Sequence, residues 1–167
     1  MKTFTTILFA VFTAAQICSA QSSVAKVSVT KVIDASVDNV WKLVRQMDDI
    51  HQYTVVVGDV EWEGKKGVGG RRVCLPPKGQ EGGVLNEEIL QFSDANRFYE
   101  YSVEGVPTTG MVNSFKVVDL GYNKSMIVWN STYDSFVENP QMNEEQLKAF
   151  LTQTLTEILN NFAKAAI

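Results

Sequence analysis

The stretch NEEQLKAFLTQTLTEILNNFAKA, residues 143–165, decides how the rest of the chain is read. Leu147, Phe150, Leu151, Thr154, Leu155, Ile158, Leu159 and Phe162 recur at spacings of three and four over about four turns, with Lys148, Gln153, Glu157, Asn160 and Lys164 opposite. Asn143 is suited to cap the first turn, and Glu144 and Glu145 stand where the helix dipole favours anions. The pattern predicts one long amphipathic helix whose wide apolar stripe has to be covered by something else in the chain.

The residues before it supply the cover. Six apolar, alternating runs at 55–63, 71–75, 84–92, 97–104, 112–119 and 125–133 are separated by turn sequences: Gly64-Lys65-Lys66-Gly67, Pro76-Pro77-Lys78-Gly79, Ser93-Asp94-Ala95-Asn96, Gly105-Val106-Pro107 and Gly121-Tyr122-Asn123. These connections are too short for helical crossovers, so the strands must pair antiparallel. Further upstream, Val27, Val29 and Ile33 alternate with polar residues in a first strand. Ser36 then begins a short helix with Val37, Val40, Trp41 and Val44 on one face, ending near Met47, and residues 48–53 form a second short helix or turn. The fold class is therefore α+β: a seven-stranded antiparallel sheet wrapped around a long C-terminal helix, with two short helices after strand 1. A twisted sheet curled around one helix closes imperfectly, which leaves either a ligand-sized gap or a gap filled by side chains.

Composition bounds the function. The 167 residues are 45% hydrophobic and 20% charged, which is enough apolar material for one folded domain. Fifteen Lys and Arg against 19 Asp and Glu give a net charge of -4. With a pI near 5.0 and no basic block, nucleic acid is excluded as a partner. Residues 1–20 carry Lys2, an apolar run through Ile7-Leu8-Phe9-Ala10-Val11-Phe12, and Cys18-Ser19-Ala20 before Gln21, the layout of a secretory signal cleaved after Ala20. The expected product is a domain of residues 21–167, secreted or periplasmic. The apolar run is broken by Thr13 and Gln16 and falls short of the ~20 residues a bilayer requires, so no transmembrane segment is expected in the mature chain. Removing Lys2 and no acid leaves 14 basic and 19 acidic residues, net -5, and removing Cys18 leaves Cys74 alone. A single cysteine forms no intramolecular disulfide, and its strand setting favours a small buried apolar residue over a reactive thiol.

Several chemistries lack their residues. His51 is the only histidine and no Gly-x-Ser-x-Gly elbow exists, which argues against nucleophilic hydrolysis. One His and one Cys do not make a metal site, and Asp48-Asp49-His51 reads as a capped turn more readily than as a cation site. No cofactor motif is present. Asn123-Lys124-Ser125 and Asn130-Ser131-Thr132 are glycosylation sequons, relevant in a eukaryotic source, with Asn123 in a hairpin turn the accessible one. The oligomeric state is not encoded in any of these patterns.

The order of elements, together with Gly67-Val68-Gly69-Gly70-Arg71-Arg72, Asn86-Glu87-Glu88-Ile89-Leu90, Asp94-Ala95-Asn96-Arg97, the stretch 99–107 and Val128-Trp129-Asn130-Ser131-Thr132-Tyr133, resembles the START-like superfamily, also called SRPBCC or helix-grip. That group includes polyketide cyclase/dehydrase-like and lipid-transport proteins, the birch-pollen-allergen family and the plant abscisic acid receptors. The resemblance covers nearly all of the mature chain and implies a hydrophobic cavity between the sheet and the C-terminal helix. Carried over position by position, it implies a cavity-facing carboxylate at Glu87, inward Tyr101 and Val103, lining positions at Val73 and Leu75, and a gate loop at Leu75-Pro76-Pro77-Lys78-Gly79. The two prolines and the lysine depart from the receptors' gate, and residues 104–110 lack their His-Arg pair, so a hormone-triggered latch is not expected.

Strand alternation extends the set. Tyr99 shares the face of Tyr101, while Leu85 and Ile89 share that of Glu87; Asn113, Phe115, Val128, Asn130 and Thr132 are the inward candidates on the later strands. Leu147, Leu151, Thr154 and Leu155 complete the lining from the helix. An inward Glu87 has to be paired, protonated or in contact with a polar ligand group; the alternative is that Glu88 points inward instead. The expected function is binding or transport of a small hydrophobic or amphipathic ligand, such as a lipid, sterol or polyketide-like molecule. The alternative is a cyclase or dehydratase in which Glu87 and a cavity tyrosine act as general acid and base.

Overall fold

A computed structural model describes residues 25–167; the expected signal segment lies outside the described residues. The elements are β1 (Val27–Ile33), α1 (Val37–Val44), a 3-10 turn (Met47–Gln52), β2 (Asp59–Glu63), β3 (Arg71–Leu75), β4 (Leu85–Ser93), β5 (Phe98–Glu104), β6 (Thr108–Thr109), β7 (Val112–Gly121), β8 (Lys124–Thr132), β9 (Ser135–Phe136) and α2 (Glu144–Ala165). The long strands form one antiparallel sheet in the order β1-β8-β7-β5-β4-β3-β2. β1 and β2 therefore occupy opposite edges, and the chain from 34 to 58 crosses between them.

Both helices begin as their sequences dictate. The Ser36 hydroxyl accepts the Asn39 N–H at 3.3 Å. Asn143 and Gln146 exchange side-chain and backbone bonds at 2.9 and 2.8 Å, a complete capping box. Among the described residues, no helix is long and apolar enough to cross a membrane.

Two local features depart from the expected pattern. The second strand starts at Asp59 and not near Val55, because residues 53–55 are held on α2. The Tyr53 ring stacks on Phe162 with centroids 4.2 Å apart, Asn161 donates to the Tyr53 carbonyl at 2.9 Å, and Glu157 accepts the Val55 N–H at 3.1 Å. The segment thus runs over the helix before joining the sheet. Thr108–Thr109 and Ser135–Phe136 also form a two-stranded ribbon, β6 with β9, that sequence periodicity does not signal.

The β7–β8 hairpin carries the larger correction. A two-residue turn, Tyr122-Asn123, has both residues at positive φ (51° and 57°). It would pair Phe115 with Asn130 if the ladder ran on from Gly121↔Lys124 without a break. A bulge between Asp119 and Gly121 adds one residue to β7, so Phe115 faces Trp129 and Asn113 faces Ser131. Directly opposed residues share a face, and the bulge turns β8 over. Val128, Asn130 and Thr132, expected inside, lie on the outer face, and Ser125, Ile127, Trp129 and Ser131 are buried in their place.

The interior has two halves. Around α1 and the C-terminal half of α2 it is solid: Trp41 packs on Phe92 and Tyr99, and Phe115 packs on Tyr99, Trp129 and Phe162, with ring centroids 4.2 to 6.4 Å apart. Around the N-terminal half of α2 it is open.

Candidate functional site

The open half is a cavity of about 450 Å³ between the sheet and α2. Leu147, Phe150, Leu151, Thr154, Leu155 and Ile158 line it from the helix, and Leu85, Val103, Met111 and Trp129 from the sheet. Its mouth is flanked by Pro76, Pro77 and residues 80–83 on one side and Gly105-Val106-Pro107 on the other, the two loops that the family resemblance marks as the rim. Gly105 holds φ +94°, and a Cβ there would come within 2.2 Å of the Val84 carbonyl oxygen, so only glycine lets these loops approach so closely.

A polar stripe runs diagonally across the sheet at the inner end. Arg72 on β3 is directly opposite Glu87 on β4, and Tyr101 on β5 is directly opposite Asn113 on β7, which is opposite Ser131 on β8. Arg72 Nε donates to Glu87 Oε2, and Arg72 Nη1 donates to the Met47 carbonyl. The guanidinium carbon lies 4.7 Å from the Tyr101 ring centroid. Only 2% of the Arg72 side chain and 6% of the Glu87 side chain are exposed. The Cys74 thiol lies 3.6 Å from the same Glu87 oxygen. Asn113 donates to the Tyr101 hydroxyl at 3.5 Å and accepts from the Ser131 hydroxyl at 2.6 Å.

The electrostatics follow from this burial. Burial works to lower the Arg72 pKa, but the Glu87 carboxylate, with smaller contributions from Tyr101 and Tyr99, outweighs it and raises the value, keeping the guanidinium charged. Burial first, then Glu87, pushes the Cys74 thiol up to about 12, so it is an inert thiol at neutral pH. Burial and Glu87 likewise raise the Tyr101 hydroxyl, and burial raises that of Tyr99, with Arg72 opposing both. These are neutral phenols held far from ionisation.

Of the residues expected to line a site, Glu87, Tyr101, Val103, Asn113, Leu147, Leu151, Thr154 and Leu155 border the cavity. Ile89, Tyr99 and Phe115 point inward but belong to the solid half, each at most 1% exposed. Val73 and Leu75 are on the opposite face of β3 and Val128 and Asn130 on the opposite face of β8, so those four placements are corrected. On β3 the reason is register: Arg72 and Cys74 pair with Glu87 and Leu85, which fixes them on the inner face. Sequence reasoning missed Arg72, Cys74 and Trp129. Arg72 had a signal, because an inward carboxylate demands a cation and Arg72 is the basic residue of inward parity on the neighbouring strand. Among the described residues His51 bonds within its own turn, its Nδ1–H donating to the Asp48 carbonyl at 3.2 Å, and Asp48 pairs with Lys66. No cluster of metal-ligating side chains occurs among the described residues.

A sheet gripping one long helix around a mouth-accessible cavity defines a helix-grip protein of the START-like, or SRPBCC, class. The chain belongs to the family described as polyketide cyclase/dehydrase and lipid transport, whose match spans residues 24–166. Solved structures share the fold at low identity. XoxI from Bacillus cereus is 19% identical with a TM-score of 0.71, over 85% of this chain and 95% of that one. The Zhui aromatase/cyclase from Streptomyces sp. R1128 is 17% identical with a TM-score of 0.69, over 84% and 92%. A norcoclaurine synthase point mutant from Thalictrum flavum, in complex with a transition-state analogue, is 18% identical with a TM-score of 0.68, over 87% and 96%. No curated protein sequence matches the chain.

Proposed function

We propose that the chain binds a small amphipathic molecule in the cavity beneath α2 and carries it without transforming it. The observation that carries this reading is the cavity itself: about 450 Å³, lined largely by aliphatic side chains with a few polar groups at its inner end. That is a ligand-sized space with apolar area for affinity and hydrogen-bonding groups for orientation. The family's description, which includes lipid transport, and the norcoclaurine synthase neighbour, solved in complex with a transition-state analogue, support a small-molecule ligand.

Binding is favoured over acid–base catalysis by the state of the polar groups. Glu87 Oε2 is occupied by Arg72 and Cys74, and the tyrosines beside it have raised pKa values. A general acid works best with a pKa near the working pH, and these phenols move the other way. The test is native mass spectrometry after gentle purification, together with titration of an environment-sensitive apolar dye, Nile red. A co-purified small molecule or saturable dye binding displaced by fatty or polyketide-like compounds supports the reading. No adduct and no saturable binding overturn it.

A further inference from the structure

The Glu87 carboxylate at the inner end of the cavity is only half used. Its Oε2 accepts from Arg72 Nε and stands 3.6 Å from the Cys74 thiol, both on β3. Its Oε1 has no partner among the described residues and, unlike the Trp129 indole N–H, is not sealed from solvent. Because the β3 contacts hold Oε2, Oε1 diverges from that strand. Glu87 borders the cavity, and 6% of its side chain is exposed. Among the described residues the Tyr101 hydroxyl, one strand further on, reaches Asn113 at 3.5 Å and not Glu87. Asn113 Oδ1 accepts from the Ser131 hydroxyl and keeps a second lone pair. The inner end therefore offers acceptors, and a carboxylate oxygen buried without a donor forfeits what a charge-assisted hydrogen bond would return.

The charge at this point is already balanced. Arg72 is the only basic side chain bordering the cavity, and it is committed to Glu87 and the Met47 carbonyl. A ligand carboxylate would meet Oε1 as a like charge with no free cation to offset it. An ammonium would leave a net positive charge beside the guanidinium in a buried place. A hydroxyl donates its proton to Oε1 and adds no charge.

We propose that Glu87 Oε1 accepts a hydrogen bond from an uncharged hydroxyl of the ligand, so that the buried Arg72–Glu87 pair makes the cavity select alcohols over hydrocarbons, ethers and charged amphiphiles. This rests on the cavity being a binding site. The probes are diphenylmethanol, its methyl ether, diphenylmethane, benzophenone, diphenylacetate and diphenylmethylamine, each titrated against Nile red at neutral pH. In the wild-type chain diphenylmethanol binds at least about tenfold tighter than the ether, the hydrocarbon or the ketone, the ratio that one hydrogen bond to a charged group supplies. The two ions bind weakest. Glu87→Gln turns its amide oxygen to the Arg72 donor and its N–H to the cavity, so the alcohol-to-ketone ratio falls to about one. An independent readout needs only the wild-type fold. The Glu87 carboxyl carbon resonance moves with diphenylmethanol and not with the ether. Equal affinity of alcohol and ether, tighter binding of either ion, an unmoved carboxyl resonance, or an alcohol preference that survives Glu87→Gln overturns this inference and leaves the binding reading standing. Displacement of Nile red by none of the compounds overturns this inference too, and absence of saturable Nile red binding overturns both.

Discussion

Breaking the Arg72–Glu87 pair from one side destabilises the chain more than removing the pair altogether. The two groups are almost wholly buried, at 2% and 6% side-chain exposure. Deleting one partner strands the other as an uncompensated charge at a cost of about 3–5 kcal/mol, whereas replacing both with apolar residues of similar volume is often close to neutral. The surroundings set where each single variant falls. After Glu87→Leu, Arg72 keeps the Met47 carbonyl and the Tyr101 ring at 4.7 Å, so about 3 kcal/mol is expected. After Arg72→Met, Glu87 keeps only the Cys74 thiol at 3.6 Å among the contacts described above, which puts the loss nearer 5 kcal/mol. The double variant Arg72→Met/Glu87→Leu loses less than either single one. At roughly 3 °C per kcal/mol for a domain of this size, the single variants lower Tm by about 9 and 15 °C. Urea denaturation of the four chains, with equal m-values as the condition for comparison, closes the cycle. A double variant as unstable as the sum of the two singles would refute the reasoning, because the pair would then have no mutual dependence.

Other outcomes follow from the same geometry. Cys74 has a folded pKa raised to about 12 from an ordinary 9, so the stability it contributes is whole below pH 9 and is lost as pH rises from 9 towards 12; Cys74→Ala therefore flattens the decline in Tm between pH 9 and 10. Thr154 borders the cavity from α2, and Thr154→Phe fills it, lowering Nile red affinity by about tenfold or more with the far-UV circular dichroism unchanged. Gly105→Ala forces a Cβ against the Val84 carbonyl at a positive φ, costing about 1–3 kcal/mol, read by thermal denaturation. If residues 1–20 are a cleaved signal, the exported protein has Gln21 as its first residue, which intact-mass measurement of secreted material checks.

What was legible in the sequence was whatever depended on period and connection length. The α2 stripe, the α1 cap at Ser36 and the antiparallel sheet are local or near-local properties, and the structure has them all. The site was half legible. Glu87, Tyr101, Val103 and Asn113 lie on strands whose alternation carries through to the cavity, and the helical lining follows from the α2 stripe. The failures have one kind of cause, a face assignment that only the partner strand can make. On β8 a single extra residue at Leu120 inverts the face of every side chain from Ser125 to Thr132, and both parities offer apolar residues, Ile127 and Trp129 against Met126 and Val128. On β3 the carry-over from the family resemblance puts Val73 and Leu75 inside, and only the pairing with β4 shows that Arg72 and Cys74 take the inner face.

That buried arginine also bears on why there is a cavity at all. The diagonal Arg72, Glu87, Tyr101, Asn113, Ser131 lies between the aromatic core and the open half, one polar residue on each successive strand from β3 through β8 apart from the short β6. Polar groups this deep hold fixed positions because each needs its partner, and their removal from register costs more than a slipped methyl contact. The stripe therefore fixes the inner end of the open half, while the Gly105 close approach and the Pro76-Pro77 segment fix its rim. With both ends held by features other than apolar packing, α2 can leave Leu151 and Thr154 incompletely packed without the sheet collapsing onto them. A chain with aliphatic residues along the diagonal would lose that restraint, and the double variant Arg72→Met/Glu87→Leu is its nearest accessible approximation. Its stability tests the ion pair; its Nile red affinity tests the restraint. Retained folding with dye binding weakened severalfold is the expected combination, and unchanged dye affinity would show that the cavity stands without the stripe.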